Sequence, residues 1–112
     1  MSESTVRLSY FRTDEGRRPF VEWLDGLNDH RLQSRVIQRM DRLRAGNPGD
    51  WQSLGAGLME LRVHAGPGLR VYFSWLSPAH CVIISGGSKS TQQRDISRAR
   101  RWLSRAQRVQ GA

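Results

Sequence analysis

Five residues able to do chemistry fall at alternate positions of two neighbouring segments. Glu60, Arg62 and His64 belong to the first, Arg70 and Tyr72 to the second. Lys89, the one lysine of the chain, follows a third segment. Arginine grips phosphate through two parallel N–H donors, and imidazole or phenol groups move protons. Cleaving RNA without a metal needs the 2′-hydroxyl deprotonated, the crowded phosphorus oxyanion stabilised and the leaving oxygen protonated. Cations and proton-transferring groups on a rigid sheet can supply all three. The same residues also fit a solvated polar face with ordinary cross-strand pairs.

The positions of these groups follow from the hydrophobic period. Met59, Leu61 and Val63 alternate with Glu60, Arg62 and His64. After Gly66-Pro67-Gly68, the residues Leu69, Val71, Phe73 and Trp75 alternate with Arg70, Tyr72 and Ser74. This predicts a β-hairpin. Opposed residues of a hairpin share a face, so the register must pair odd with odd, as in Leu61 with Phe73 or Val71. Every such register gathers Glu60, Arg62, His64, Arg70 and Tyr72 on the other face, expected to be open. A slip of one residue would set Arg against Val on the core side. Ser77-Pro78 turns the chain into Cys81-Val82-Ile83-Ile84, a nearly all-apolar and so central strand, which Gly86-Gly87 ends. Lys89 then lies at the edge or end of the sheet.

The remaining elements read as cover. Val6–Tyr10 alternates as a first strand, and residues 13–16 form a loop. Pro19 suits the first turn of a helix near 18–27 that carries Phe20, Trp23, Leu24 and Leu27. Asn28 or Asp29 caps a second helix with the stripe Leu32, Val36, Met40 and Leu43. Its other face holds Arg31, Arg35, Arg39 and Arg42, which can pair with Asp29 and Asp41. Residues 46–49, Gly-Asn-Pro-Gly, stop it. A last helix starts at Ser90 or Thr91 and carries Ile96, Ala99, Leu103 and Ala106, with Trp102 beside them. The expected fold class is α+β, in the order β-α-α-β-β-β-α. An antiparallel sheet would have its helices packed on one face.

Charge adds a second candidate surface. The chain has 18 basic and 10 acidic residues, a net charge of +8, and 17 of the 18 basic residues are arginine. Residues 1–60 carry nine arginines and nine acids. Residues 61–112 hold the whole excess, with Asp95 as their one acid. On the last helix Arg94, Arg98, Arg101, Arg105 and Arg108 recur at steps of four and three, forming one cationic face. With only Asp95 nearby as counter-charge, that face suits a polyanion such as RNA, through Arg94, Arg98 and Arg101, or an acidic partner. Residues 86–91, Gly-Gly-Ser-Lys-Ser-Thr, imitate a P-loop but put Ser88 where a glycine is required. They can hold a phosphate on backbone N–H groups at the helix start, or serve as a turn and N-cap. His30 and His80 sit at element ends and read as structural. Asp50 and Trp51, in a Gly-flanked loop, could touch a substrate.

A chain of 112 residues makes one domain, 1–112, with a core at about 5–108. No apolar run is long enough for a transmembrane helix, and the N-terminus has no signal-peptide h-region. Cys81 is the one cysteine, and no Cys/His spacing suggests a zinc site. A soluble cytoplasmic domain with no metal and no cofactor is expected.

Several short motifs run in order. They are Phe20-x-x-Trp23-Leu24, Gly46-Asn47-x-Gly49-Asp50, Glu60-Leu61-Arg62, Gly66-Pro67-Gly68-x-Arg70-Val71-Tyr72-Phe73 and Gly86-Gly87-x-Lys89-Ser90-Thr91-Gln92. Over about residues 8–106 the chain resembles the phage-derived Gp49-like, HigB-type addiction module killer proteins of the RelE/ParE toxin superfamily. The resemblance implies a RelE-like fold and the toxin of a type II toxin–antitoxin pair. It implies an mRNA interferase, an endoribonuclease that cuts mRNA without metal and often on the ribosome. Its partner would be an antitoxin of the helix-turn-helix type, and operator DNA would be bound only through the toxin–antitoxin complex. Matched by position, the resemblance implies Arg62, Arg70, Tyr72 and Lys89 as catalytic residues, with His64 added from its place on the same face. The familiar last motif has Asp where this chain has Ser88.

Two other readings stand beside this one. ParE-like members of the superfamily act on gyrase without catalysis, and here the Arg-rich last helix would be the contact surface. A basic nucleic-acid-binding module without toxicity is the third. The clustered Arg62, Arg70 and Tyr72 favour the enzyme.

Overall fold

The structure, a computed structural model, describes residues 5–111, with side chains described as far as Ala106. The chain runs β1 (Arg7–Tyr10), α1 (Pro19–Asp25), α2 (His30–Arg44), β2 (Trp51–Ser53), β3 (Met59–Val63), β4 (Leu69–Ser77) and β5 (His80–Ser88). A 3₁₀ turn (Lys89–Thr91) then leads into α3 (Gln92–Gly111). The strands form one sheet in the order β1-β5-β4-β3-β2.

Local signals start and stop the helices as expected. Pro19 opens α1. The Asp29 carboxylate caps α2, accepting the Arg31 backbone N–H at 2.8 Å. At its end Gly46 takes a left-handed φ of 90°. Gly46 N–H donates to Leu43 O, and Asn47 N–H donates to Arg42 O. That is the paired closure a glycine after the last turn permits.

The hairpin register follows the parity rule. Leu61 lies opposite Val71, Met59 opposite Phe73, Glu60 opposite Tyr72 and Arg62 opposite Arg70. Three features differ from the expected fold. First, Trp51–Ser53 forms an edge strand that pairs antiparallel with β3, adding a fifth strand. Second, β1 runs parallel to β5, which makes the sheet mixed rather than antiparallel.

Third, helices cover both faces. α1 and α2 bury Phe20, Val36, Met40 and Leu43 against Leu61, Val71, Phe73 and Ile83 on one side. On the other side α3 lays Ala99 and Leu103 on Tyr72, Val82 and Ile84. The physical reason lies in β5. Cys81 and Ile83 face one layer, Val82 and Ile84 the other, so both its faces need apolar cover. A bulge between Tyr72 and Phe73 sets Tyr72 opposite Ser85 and Phe73 opposite Ile83, leaving Ile84 as the extra residue.

Gly86 and Gly87 let both helix layers close on β5. A Cβ on Gly86 would overlap the Trp23 ring of α1, and one on Gly87 would overlap the Asp95 carboxylate of α3. No described helix is long and apolar enough to cross a membrane.

Candidate functional site

The hairpin face expected to be open lies instead beneath the start of α3. Its centre is Glu60, whose side chain is 0% exposed. Arg62 and Arg70 face each other across the ladder, an arrangement that like charges disfavour. The Glu60 carboxylate resolves the conflict. Arg62 Nε donates to its Oε1 at 3.3 Å, and Arg70 Nε lies 3.8 Å from Oε2. Two amides complete the shell, Gln92 Nε2 donating to Oε2 at 2.8 Å and Gln52 Nε2 to Oε1 at 3.5 Å. Arg62 remains 34% exposed and Arg70 only 13%. The pair is thus aimed from within and reaches solvent at one end.

Tyr72 sits one step further in and is fully buried. Its hydroxyl has no hydrogen-bond partner among the described residues. Burial, reinforced by the Glu60 and Asp95 carboxylates and opposed by Arg70, pushes the phenol well above the ordinary tyrosine pKa. Near neutral pH this group is a proton donor and not a phenolate base.

A second titratable pair lies at this end of the sheet. His64 follows β3 and is 72% exposed, with Nε2 lying 2.5 Å from Asp50 Oδ2. The hydrogen bond to His64 holds the Asp50 carboxyl below its usual range, with slight desolvation opposing it and the positive charge around it assisting. Arg39 fixes the backbone beneath. It was expected on the outer arginine face of α2, where Asp29 and Asp41 can pair, yet it folds inward. Its guanidinium donates to the carbonyls of Arg62, Pro48 and Asp50, the last two at 2.9 and 3.3 Å. Three carbonyls take the place of a carboxylate partner. Burial and the neighbouring Arg42 lower its pKa. Arg62 N–H in turn donates to Asp50 O at 2.9 Å, which sets the His64–Asp50 pair beside Arg62.

Lys89 closes the row. Arg70 pairs with Gly87, Leu69 with Ser88, and Lys89 N–H donates to Gly68 O at 2.9 Å. The exposed Lys89 side chain therefore stands at the same end of the sheet as Arg62, Arg70 and His64. The backbone cradle suggested by residues 86–91 is closed, however. Ser88 N–H is taken by Thr91 Oγ1 at 3.3 Å, and Lys89 N–H by Gly68.

The arginine row of α3 divides by environment. Arg94 and Arg101 are exposed, Arg94 lying 3.9 Å from Asp95. Arg98 turns over the Trp102 ring, 5.8 Å from its centroid. The Arg108 side chain lies outside the described residues. Arg100, which the row omits, donates to the carbonyls of Leu54 and Gly55 at 2.6 and 3.1 Å and ties α3 to the loop after β2. Asp95, expected to offset the row, is buried and accepts from Thr91 Oγ1 at 2.5 Å.

Glu60 was expected on this face, though not as its buried anchor; Gln52, Gln92 and Arg39 were not expected in the site, and Asp50 was expected only as a loop residue able to touch a substrate. For Asp50 the signal existed. Trp51 pairs with Leu61, so a strand at Trp51–Ser53 puts Asp50 level with Arg62. Among the described residues no three His, Cys, Asp or Glu side chains gather as a metal site would require.

No protein family model matches the chain. A Haemophilus influenzae protein described as an "uncharacterized protein" is 38% identical to it over 81 residues, which cover 72% of this chain and 82% of the relative.

Proposed function

This chain belongs to the same family as the Haemophilus influenzae protein, and we propose, from its own residues, that it is a RelE-like, HigB-type toxin of a type II toxin–antitoxin pair. Its activity is metal-independent endonucleolytic cleavage of mRNA, which stops translation in the cytoplasm. The observation that carries this reading is the His64–Asp50 pair, 2.5 Å apart, at the sheet end that also holds Arg62, Arg70 and Lys89. A base oriented by a carboxylate, beside two guanidiniums and an amine, matches the needs of RNA cleavage.

The steps divide among these groups. His64, oriented by Asp50, takes the proton of the 2′-hydroxyl. The 2′-oxygen attacks the adjacent phosphorus while the bond to the 5′-oxygen breaks. Arg62 and Arg70 neutralise the charge gathering on the phosphoryl oxygens. Lys89 gives its proton to the departing 5′-oxygen. The products are a 2′,3′-cyclic phosphate and a 5′-hydroxyl. Tyr72, fully buried, takes no part in these steps. Arg94 and Arg101 add attraction for the RNA strand. An antitoxin of the helix-turn-helix type would neutralise the toxin and bring the complex to operator DNA.

The test expresses the wild type, Arg62→Ala and Lys89→Ala without an antitoxin and maps mRNA 5′ ends. New internal ends with the wild type, lost or reduced about 10²-fold with either variant, are expected. Growth arrest without new ends would rule out ribonuclease action.

A further inference from the structure

β1 accompanies β5 only as far as Ile83, where Phe11 N–H donates to the Ile83 carbonyl. No described strand lies along the outer edge of β5 beyond that point. α1 and α3 flank the bare edge, and a cleft of about 760 Å³ opens between them. That volume suits one small organic group, the usual range being about 300–1,000 Å³. The indoles of Trp23 from α1 and Trp102 from α3 line it, and residues 85–88 form its floor.

The ladder decides which backbone groups reach this cleft. In an antiparallel pair, residues bonded to the partner alternate with residues turned away from it. Lys89 is bonded to Gly68, so Gly87 opposite Arg70 also faces β4, and Gly86 opposite Val71 faces outward. Gly86 therefore turns one N–H and one C=O toward the cleft, with the Trp23 ring packed against one face of its backbone. Ser88 also turns outward, but Thr91 Oγ1 already occupies its N–H.

Glu15 and Arg98 apart, the charged groups of the cleft have partners among the described residues. Arg17 pairs with Glu22 at 2.6 Å, and Asp95 is held by Thr91 with Arg94 nearby. Arg98 has no carboxylate within 4 Å among the described residues. Its guanidinium lies beside the Trp102 ring. One wall is thus an aromatic plane with a cation on it.

We propose that this cleft receives one unpaired nucleobase of the RNA strand, stacked on Trp102, with its polar edge against the Gly86 peptide groups and an adjoining phosphate on Arg98. The proposal rests on the ribonuclease reading and extends it to substrate contacts beyond the cleaved phosphate. Every base has a π face, and aromatic stacking contributes about 1–3 kcal/mol per base. A peptide N–H and C=O side by side match the donor and acceptor of a base edge. An added peptide strand would need a longer run of outward groups than Gly86 alone supplies. Ser88 and Thr91 line the cleft and flank Lys89. A base held there would belong to a nucleotide on the Lys89 side of the cleaved phosphate.

The experiment uses the full chain and an RNA hexamer made uncleavable by 2′-O-methylation, with a matching hexamer that lacks one base. The intact hexamer should bind about tenfold more tightly than the abasic one. The indole N–H signals of Trp23 and Trp102 should shift while that of Trp75 does not. Trp102→Leu should erase the affinity ratio and leave abasic binding unchanged. If that variant does not fold, the wild-type indole shifts and affinity ratio decide. A ratio near one, a ratio unchanged in Trp102→Leu, or the two indoles shifting only with an acidic extended peptide would overturn the proposal. Cleavage of ordinary mRNA is scored separately. Cleavage with a ratio near one removes the base site alone, whereas a tenfold ratio without cleavage removes the ribonuclease reading and leaves base binding standing.

Discussion

Replacing Glu60 by alanine strips the shared partner from Arg62, Arg70 and Gln92 at once. Arg62 is a third exposed, so its ion pair resembles a surface pair and contributes about 0–1 kcal/mol. Arg70 is only 13% exposed, and removing one member of a buried pair costs about 3–5 kcal/mol. The Gln92 bond to the carboxylate, at 2.8 Å, contributes about 1.5–3 kcal/mol by itself. Members of one network do not add independently, so a total near 4 kcal/mol is expected. For a domain of this size each kcal/mol moves Tm by about 4 °C, giving a fall of about 15 °C. Urea and thermal unfolding followed by circular dichroism would measure it. Glu60→Gln keeps the volume and the contact with Gln92 but turns an amide toward the arginines, and should lose about half as much. A Glu60→Ala variant within 1 kcal/mol of wild type would show that the carboxylate does not hold the cluster together. It would mean that desolvating Glu60 cancels its attraction and that the arginines hold their positions without it.

Three further perturbations bear on neighbouring parts. Asp50→Asn and His64→Ala change exposed side chains, so unfolding should be little altered while mRNA cleavage falls about 10²–10⁴-fold; equal cleavage with either variant removes the pair from the mechanism. Gly87→Ala puts a Cβ into the Asp95 carboxylate. It should destabilise by about 1–3 kcal/mol, and Asp95→Ala in the same chain should recover part of the loss, which a double-mutant cycle would show. Burial pushes the Cys81 thiol up to about 12 from an ordinary 9.0. Because the folded value is the raised one, stability is intact below about pH 9 and falls toward pH 12 by about 1.4 kcal/mol per pH unit. Cys81→Ala should flatten that alkaline slope, and an unchanged slope would assign it elsewhere.

The hairpin was legible because Leu61, Val63, Leu69 and Val71 alternate with charged residues, and a register slip would bury arginine against valine. What covers the other face was harder to read. Glu60, Arg62 and Arg70 look like a solvated surface, yet both arginines lie within 4 Å of the buried Glu60 carboxylate under α3. The signal for two-sided cover was in Val82 and Ile84, apolar on the face that the hairpin makes polar. Trp51–Ser53 has three residues and no apolar alternation, so its pairing with β3 did not register, and the His64–Asp50 pair depends on that pairing. Arg39 looked like one more member of the outer arginine face of α2. Only the fold of residues 48–50 against Arg62 supplies the carbonyls that draw it inward.

The chemistry of the cut ends separates metal-independent RNA cleavage from every other reading. Purified protein is mixed with a defined mRNA, free and on translating ribosomes, and both new termini are identified. A 2′,3′-cyclic phosphate upstream and a 5′-hydroxyl downstream are expected, both lost with His64→Ala. Intact mRNA under both conditions, or ends carrying a 5′-phosphate, would contradict that chemistry.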